Sequence, residues 1–127
     1  MKRPWLIPLA VLTAILAFCL WNSAAMTSHT NRWRAQVAQA DKLARAEDFS
    51  GAAEALEASY RDWSRHQTYL HIVSQHDAVD DAEAMYHRCL AFAVTQEVTE
   101  FRAELADLRD QLRLLAEMEE FSIGNVL

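Results

Sequence analysis

The stretch VTEFRAELADLRDQLRLL, residues 98–115, places Val98, Phe101, Leu105, Leu108, Leu112 and Leu115 at alternating steps of three and four. Such steps keep all six on one stripe of an α-helix, whereas a strand would need a period of two. Sustained over nearly three heptads, the stripe is a coiled-coil-like seam that must pack on another helix, and these six residues form the candidate interaction seam. The outer face mixes signs, with Asp110 three residues before Arg113, Arg113 four before Glu117, and Glu100 and Glu104 as a like-charge pair. Charges arranged this way mainly solvate a helix.

The helical reading spreads outward because breakers are missing. Glycine occurs at 51 and 124 and proline at 4 and 8, leaving residues 52–123 without a strong helix breaker. The expected fold is all-α: an N-terminal transmembrane helix followed by a small antiparallel bundle of about four helices. A first bundle helix over about residues 30–47, either continuous with the apolar segment before it or separate from it, carries Trp33, Val37, Ala40 and Leu43 or Ala44 at helical spacing. Asp48-Phe49-Ser50-Gly51 reads as a turn with Ser50 as the N-cap of a second helix, whose stripe is Ala53, Leu56, Tyr60 and Trp63. The hairpin ADKLARAEDFSGAAEAL, residues 40–56, is similar to one tetratricopeptide unit, but no second unit follows at the expected period, so no solenoid is expected. A long third helix over residues 68–94 would place Ile72, Val79, Tyr86 and Leu90 on one stripe, with Asp77 able to restart it. In the closing MEEFSIGNVL, Gly124 suits a left-handed position after the last helix, and Ile123, Val126 and Leu127 give the tail something to bury.

Upstream of all this, Lys2 and Arg3 precede seventeen residues, Trp5 to Trp21, without a charge. Such a run belongs in hydrocarbon. Two readings compete: a retained anchor bracketed by Trp5 and Trp21, or a signal peptide with Ser23-Ala24-Ala25 near its cleavage site. The length of the run favours an anchor. Residues 1–26 are then the membrane segment and residues 27–127 the bundle domain. The positive charges before the span put the N-terminus in the cytoplasm and the domain outside, and cleavage would leave the domain secreted. Lipid attachment at Cys19 is disfavoured, because bulky Phe18 stands where a small side chain is needed.

The domain is acidic. Of the 12 basic and 18 acidic residues, Lys2 and Arg3 lie before the span, so residues 4–127 carry 10 basic against 18 acidic side chains, a net charge of −8. Nucleic acid is a poor partner for such a surface. Cys19 and Cys89 form no metal-binding CxxC and no disulfide framework, and Cys89 reads as a small buried residue. Trp33, Tyr60, Trp63, Tyr69 and Tyr86 are expected in the core.

The candidate binding face lies in HIVSQHDAVDDAEAMYH, residues 71–87. On a continuous helix His76, Asp80, Glu83 and His87 fall within about 60° of arc. Two imidazoles with two carboxylates suit a divalent ion such as zinc or copper, yet a single helix face seldom supplies more than two ligands, and no metal ligand set is assigned. The same residues also suit a hydrogen-bonded shoulder of the buried stripe, or a pH-sensitive one. His66 and His71 would face elsewhere. No nucleophile elbow or phosphate loop is present, and neither Glu83 nor Glu104 has partner residues that would make it a catalytic base, so no enzyme and no cofactor are expected.

The order of features resembles a family of small bacterial membrane-anchored proteins known as a domain of unknown function. The residues that carry the resemblance are Trp63, His76-Asp77-Ala78-Val79-Asp80, the Phe101–Leu115 seam with Glu104, and Ser122-Ile123-Gly124-Asn125-Val126-Leu127; Ala78 departs from the acidic residue expected there. The resemblance implies no activity. What the residues support is a membrane-anchored interaction or structural module of the cell envelope, with a protein partner or a second copy, and an extracytoplasmic metal-binding or sensing protein as the alternative.

Overall fold

The computed structural model describes residues 3–73 and 76–126, with side chains up to residue 72 and from 76 to 118. Among these the chain is all-α, with α1 (Leu6–Arg45), α2 (Phe49–Arg65), α3 (Gln67–Val73), α4 (His76–Val94) and α5 (Val98–Val126). α1 is one helix of 40 residues, about 60 Å long at 1.5 Å per residue. Its first part exposes most of its apolar side chains, Leu12, Ile15, Phe18 and Trp21 among them, with Leu16 and Cys19 half-buried, and it is long and apolar enough to cross a membrane. From Asn22 onward the burial becomes one-sided, through Met26, Thr30, Trp33, Val37, Ala40 and Ala44. The helix thus changes from a uniformly apolar surface to an amphipathic one without a break.

The remaining long helices close an up-and-down bundle around that amphipathic half. α2 returns along α1, α4 ascends beside α2, and α5 descends between α4 and α1; the α1–α2, α4–α5 and α1–α5 packings are the extensive ones. Cross-links fix the register: Asp41 on α1 accepts from Arg102 on α5 at 3.0 Å, Glu104 from Arg88 at 2.7 Å, and the Ala78 carbonyl from Gln111 Nε2 at 3.0 Å. α3 is an elbow at the end nearest the apolar half of α1, where the Tyr69 hydroxyl donates to Asn22 Oδ1 at 2.5 Å.

The seam is the inner wall of this bundle. Phe101, Leu105, Leu108, Leu112 and Leu115 are all buried, against α1 and α4 of the same chain. Val98 departs from the expectation and is 41 % exposed, because it opens α5 at the tip where α4 has already ended. Other boundaries also shift. Asp48, not Ser50, caps α2, its carboxylate accepting the Gly51 N–H at 3.0 Å, so Ser50 lies inside the helix and the turn lies earlier. A Cβ on Gly51 would collide with that carboxylate. With the start fixed there, the buried stripe of α2 is Ala52, Leu56, Ser59 and Trp63, while Ala53 and Tyr60 are half-buried beside it.

Over the expected third helix the described residues form α3 and α4. Ile72 lies off the stripe assigned to it and is 77 % exposed, Leu90 is half-buried, and Asp77 falls in the first turn of α4. At the other end α5 continues through Gly124 to Val126, and no described glycine is left-handed, so the expected C-terminal glycine stop does not form. The tail side chains Ile123, Val126 and Leu127 lie outside the described ones.

Left-handed residues do close α1 and α4, but neither is glycine. Glu47 and Gln96 sit at φ 64° and 59°. Each is followed by an N–H that reaches back five residues, Asp48 to the Leu43 carbonyl at 2.9 Å and Glu97 to the Phe92 carbonyl at 3.0 Å, the pattern of a Schellman end. A left-handed L-residue costs about 1–2 kcal/mol that glycine does not incur. Gln96→Gly is therefore expected to stabilise the bundle by about 1 kcal/mol after the unfolded-state entropy of glycine is set against the relief. A urea-unfolding midpoint that falls would contradict this.

Candidate functional site

Glu83 is the best-connected side chain of the candidate face. It sits on α4 opposite α2, and its two oxygens accept from the Tyr60 hydroxyl at 2.7 Å, Trp63 Nε1 at 2.9 Å and Gln67 Nε2 at 2.7 Å, with His87 Nε2 at 3.2 Å. His87 also lies 2.9 Å from the Tyr60 hydroxyl. A carboxylate offers about four lone-pair sites, and Tyr60, Trp63 and Gln67 occupy three of Glu83's. Binding of the Tyr60 hydroxyl by Glu83, with some burial, pushes the Tyr60 pKa up to about 12.

A second carboxylate is held in the same manner one helix away. Asp62 on α2 accepts from Arg32 Nε at 2.6 Å and Trp33 Nε1 at 3.0 Å, both on α1, while His66 Nδ1 lies 2.8 Å from its backbone carbonyl. Around it His29 stacks on Trp33 with centroids 5.8 Å apart and tilts against His66 at 4.4 Å, and Trp33 stands edge-on to Trp63 at 5.1 Å. The two indoles therefore serve as matching crosspieces, Trp33 donating from α1 to α2 and Trp63 from α2 to α4. Buried beneath them, the Tyr86 hydroxyl and Ser59 Oγ pair at 2.9 Å.

The four residues that share an arc on paper do not share a site. Glu83 and His87 join the Tyr60–Trp63–Gln67 cluster, whereas His76 Nδ1 lies 2.9 Å from His71 Nδ1, with the rings stacked, and Asp80 Oδ1 is 4.0 Å from His71 Nε2. His71, expected to face away, packs against His76 instead. His66, expected on the surface, is half-buried against Asp62 and Trp33. Among the described residues no group of three or more His, Cys, Asp or Glu side chains is arranged to hold a metal ion. No local pattern in the sequence points to the Asp62 cluster, since its members come from α1 and α2, about thirty residues apart.

Electrostatics in the Asp62 cluster make acid its natural solvent of attack. His29 has its pKa lowered, first by burial and then by the positive charge of His66 and Arg32, against a smaller opposing pull from Asp62. Burial raises the Asp62 pKa, but the Arg32 hydrogen bond and charge, the Trp33 N–H and His66 outweigh it, and the net shift is downward. A histidine with a lowered folded pKa contributes stability that is complete above its unfolded value of 6.5 and declines as pH falls through 6.5 toward the folded value. The Asp62 contribution is complete above 3.8 and is lost as pH falls through the lower folded value. Melting temperature is expected to decline in two stages on acidification, and His29→Gln should remove the first while keeping the second. An unchanged first stage in the variant would contradict the assignment.

Cys89 is wholly buried and its thiol pKa is pushed up to about 12, chiefly by burial, with Glu104 adding to it, in keeping with a packing residue. Taken together, the Asp62 and Glu83 clusters engage their polar groups across helix interfaces, an arrangement that fixes how α1, α2 and α4 sit. No curated protein and no solved structure matches the chain. A family match does cover residues 20–126, from the last turn of the apolar segment to the end of α5. The chain belongs to the family described as Domain of unknown function (DUF4363).

Proposed function

We propose that the chain is a single-span, membrane-anchored helical module that serves a cell-envelope assembly as a structural or docking part, with its N-terminus in the cytoplasm and its bundle outside. The observation that carries this reading is the unbroken α1, which is at once the apolar segment and one wall of the bundle. A helix shared in this way transmits the position of the anchor to the domain without a flexible joint. The Trp33–Asp62 and Trp63–Glu83 crosspieces extend that rigidity to α2 and α4. The orientation is supported by Lys2 and Arg3 before the span, with Arg32 the next cation after it.

Because the seam is spent on the chain's own core, a partner would meet outer faces of the bundle or its tip, where Val94 is 84 % exposed. Photo-crosslinking side chains placed at Val94, Glu57 and Asp110 in the membrane-bound protein test the docking role, and protease accessibility from either side tests the orientation. A discrete crosslinked partner at one of these positions is expected. A monomer in mild detergent that yields no crosslinked partner in membranes would remove the basis of the reading.

A further inference from the structure

We propose that the α3 elbow is a membrane-contact element, resting on the outer boundary of the bilayer with the Ile72 side chain against lipid; this deepens the anchor reading above and rests on it. The first argument is length. From Trp5 to Trp21 the apolar part of α1, exposed apart from half-buried Leu16 and Cys19, rises about 24 Å, at 1.5 Å per residue, whereas a bilayer's hydrocarbon core is about 30 Å thick. The shortfall of about 6 Å corresponds to roughly four more residues of α1. Those residues begin with Asn22, which is already buried by the bundle. The lower end of the bundle is therefore drawn down to the hydrocarbon boundary.

The second argument is which element occupies that level. The Tyr69 hydroxyl bonded to Asn22 Oδ1 ties α3 to the residue directly after Trp21. Ile72 is three residues further along, at most about 4.5 Å of helix rise from Tyr69. Within α3, Leu70 is wholly buried in the core, and two residues later the helix has turned about 200°, so Ile72 points away from the bundle. It is 77 % exposed, so its apolar side chain is free to meet lipid at that level. A tyrosine beside it, with one polar end and one apolar face, suits the headgroup boundary. α5 descends to the same end. From Arg102 opposite Asp41 its backbone continues to Val126 for about 36 Å, which brings it level with the upper part of the span.

The test uses the full chain in phosphatidylcholine–phosphatidylglycerol vesicles, with p-benzoylphenylalanine in place of Ile72 or, as a control, in place of Val94, which is equally apolar and 84 % exposed at the far tip. Both positions are exposed, so neither change should disturb folding. Flotation with the vesicles is scored first, and lipid adducts are scored by mass spectrometry after illumination. The expected result is flotation with lipid adducts at position 72 and background at 94. Flotation without adducts at 72 overturns the elbow contact while leaving the anchor intact, and implies that the bilayer thins to meet a short span. Equal adducts at both positions overturn it too, since the bundle would then lie flat on the surface. Failure to float overturns the anchor reading, and the elbow contact with it.

Discussion

Trp63→Ala is expected to destabilise the full chain by about 4 kcal/mol, read as a fall in the urea midpoint in mild detergent. The side chain is wholly buried, edge-on to Trp33 at 5.1 Å and 5.5 Å from Tyr86, and its Nε1–H donates to Glu83 at 2.9 Å. Truncating a buried aromatic residue to alanine costs about 3–5 kcal/mol through lost transfer energy and the cavity left behind. Here each aromatic contact adds about 0.5–1.5 kcal/mol, and Glu83 loses its most buried donor. Domains of this size have about 5–15 kcal/mol in total, so the variant should sit close to its unfolding transition at 37 °C. Trp63→Phe keeps the ring contacts and removes the N–H, and should cost about 1–2 kcal/mol. Equal losses for the two variants would mean that the hydrogen bond, not the ring, dominates the site.

The reason for so large an effect is position. Asp62 and Trp63 are neighbours in sequence, and on a helix they point about 100° apart, so one turns toward α1 and the other toward α4. α2 thus receives a hydrogen bond from Trp33 through Asp62 and passes one on from Trp63 to Glu83. Apolar packing holds the four long helices together but tolerates small sliding; a bond between an indole N–H and a carboxylate, with little water nearby, has one register. Two such bonds in series fix α1, α2 and α4 relative to the anchor. Breaking either should loosen the geometry of the bundle against the membrane as well as its stability.

How much of this was legible depended on whether a residue's partners lay on its own helix. The α5 seam was readable because Phe101, Leu105, Leu108, Leu112 and Leu115 repeat at a period the helix itself imposes. Val98 obeys the same period and is exposed, since periodicity assigns a face but not how far the neighbouring helix extends. The arc of His76, Asp80, Glu83 and His87 is a property of α4 alone, yet their neighbours are Tyr60, Trp63 and Gln67 on α2 and α3, and His71 on α3. The side His71 takes does not follow from a single helical wheel over α3 and α4, and no glycine or proline marks the boundary between them. Asp48 and Ser50 were both competent caps for α2, and the sequence alone does not say which oxygen meets the Gly51 N–H. The Asp62 cluster carried no local signal: a carboxylate next to a buried tryptophan reads as solvated until α1 is laid against it.

Glu83→Ala should cost about 3 kcal/mol, and its cause can be separated from simple loss of contact. The substitution takes the acceptor from the N–H of wholly buried Trp63, which is worth about 1–3 kcal/mol, toward the low end because the Glu83 side chain it removes is 21 % exposed and water can follow. Tyr60 and Gln67, half-buried, can turn to solvent and lose less. Glu83→Gln keeps the shape but exchanges one acceptor oxygen for a donor that would face the donors already there, and should cost about 1–2 kcal/mol. In a double-mutant cycle with Trp63→Phe, Glu83→Ala should show a coupling of about 1–2 kcal/mol, because either change removes the same bond. Additivity within about 0.5 kcal/mol would show that the bond contributes nothing beyond its surroundings. Tyr60 gives an independent readout, since its pKa of about 12 is held up chiefly by the hydrogen bond to Glu83. In Glu83→Ala the tyrosinate should form at lower pH in an ultraviolet titration, moving toward the ordinary value of 10.0, and the same shift should be absent in Trp63→Phe, where the Tyr60 bond survives.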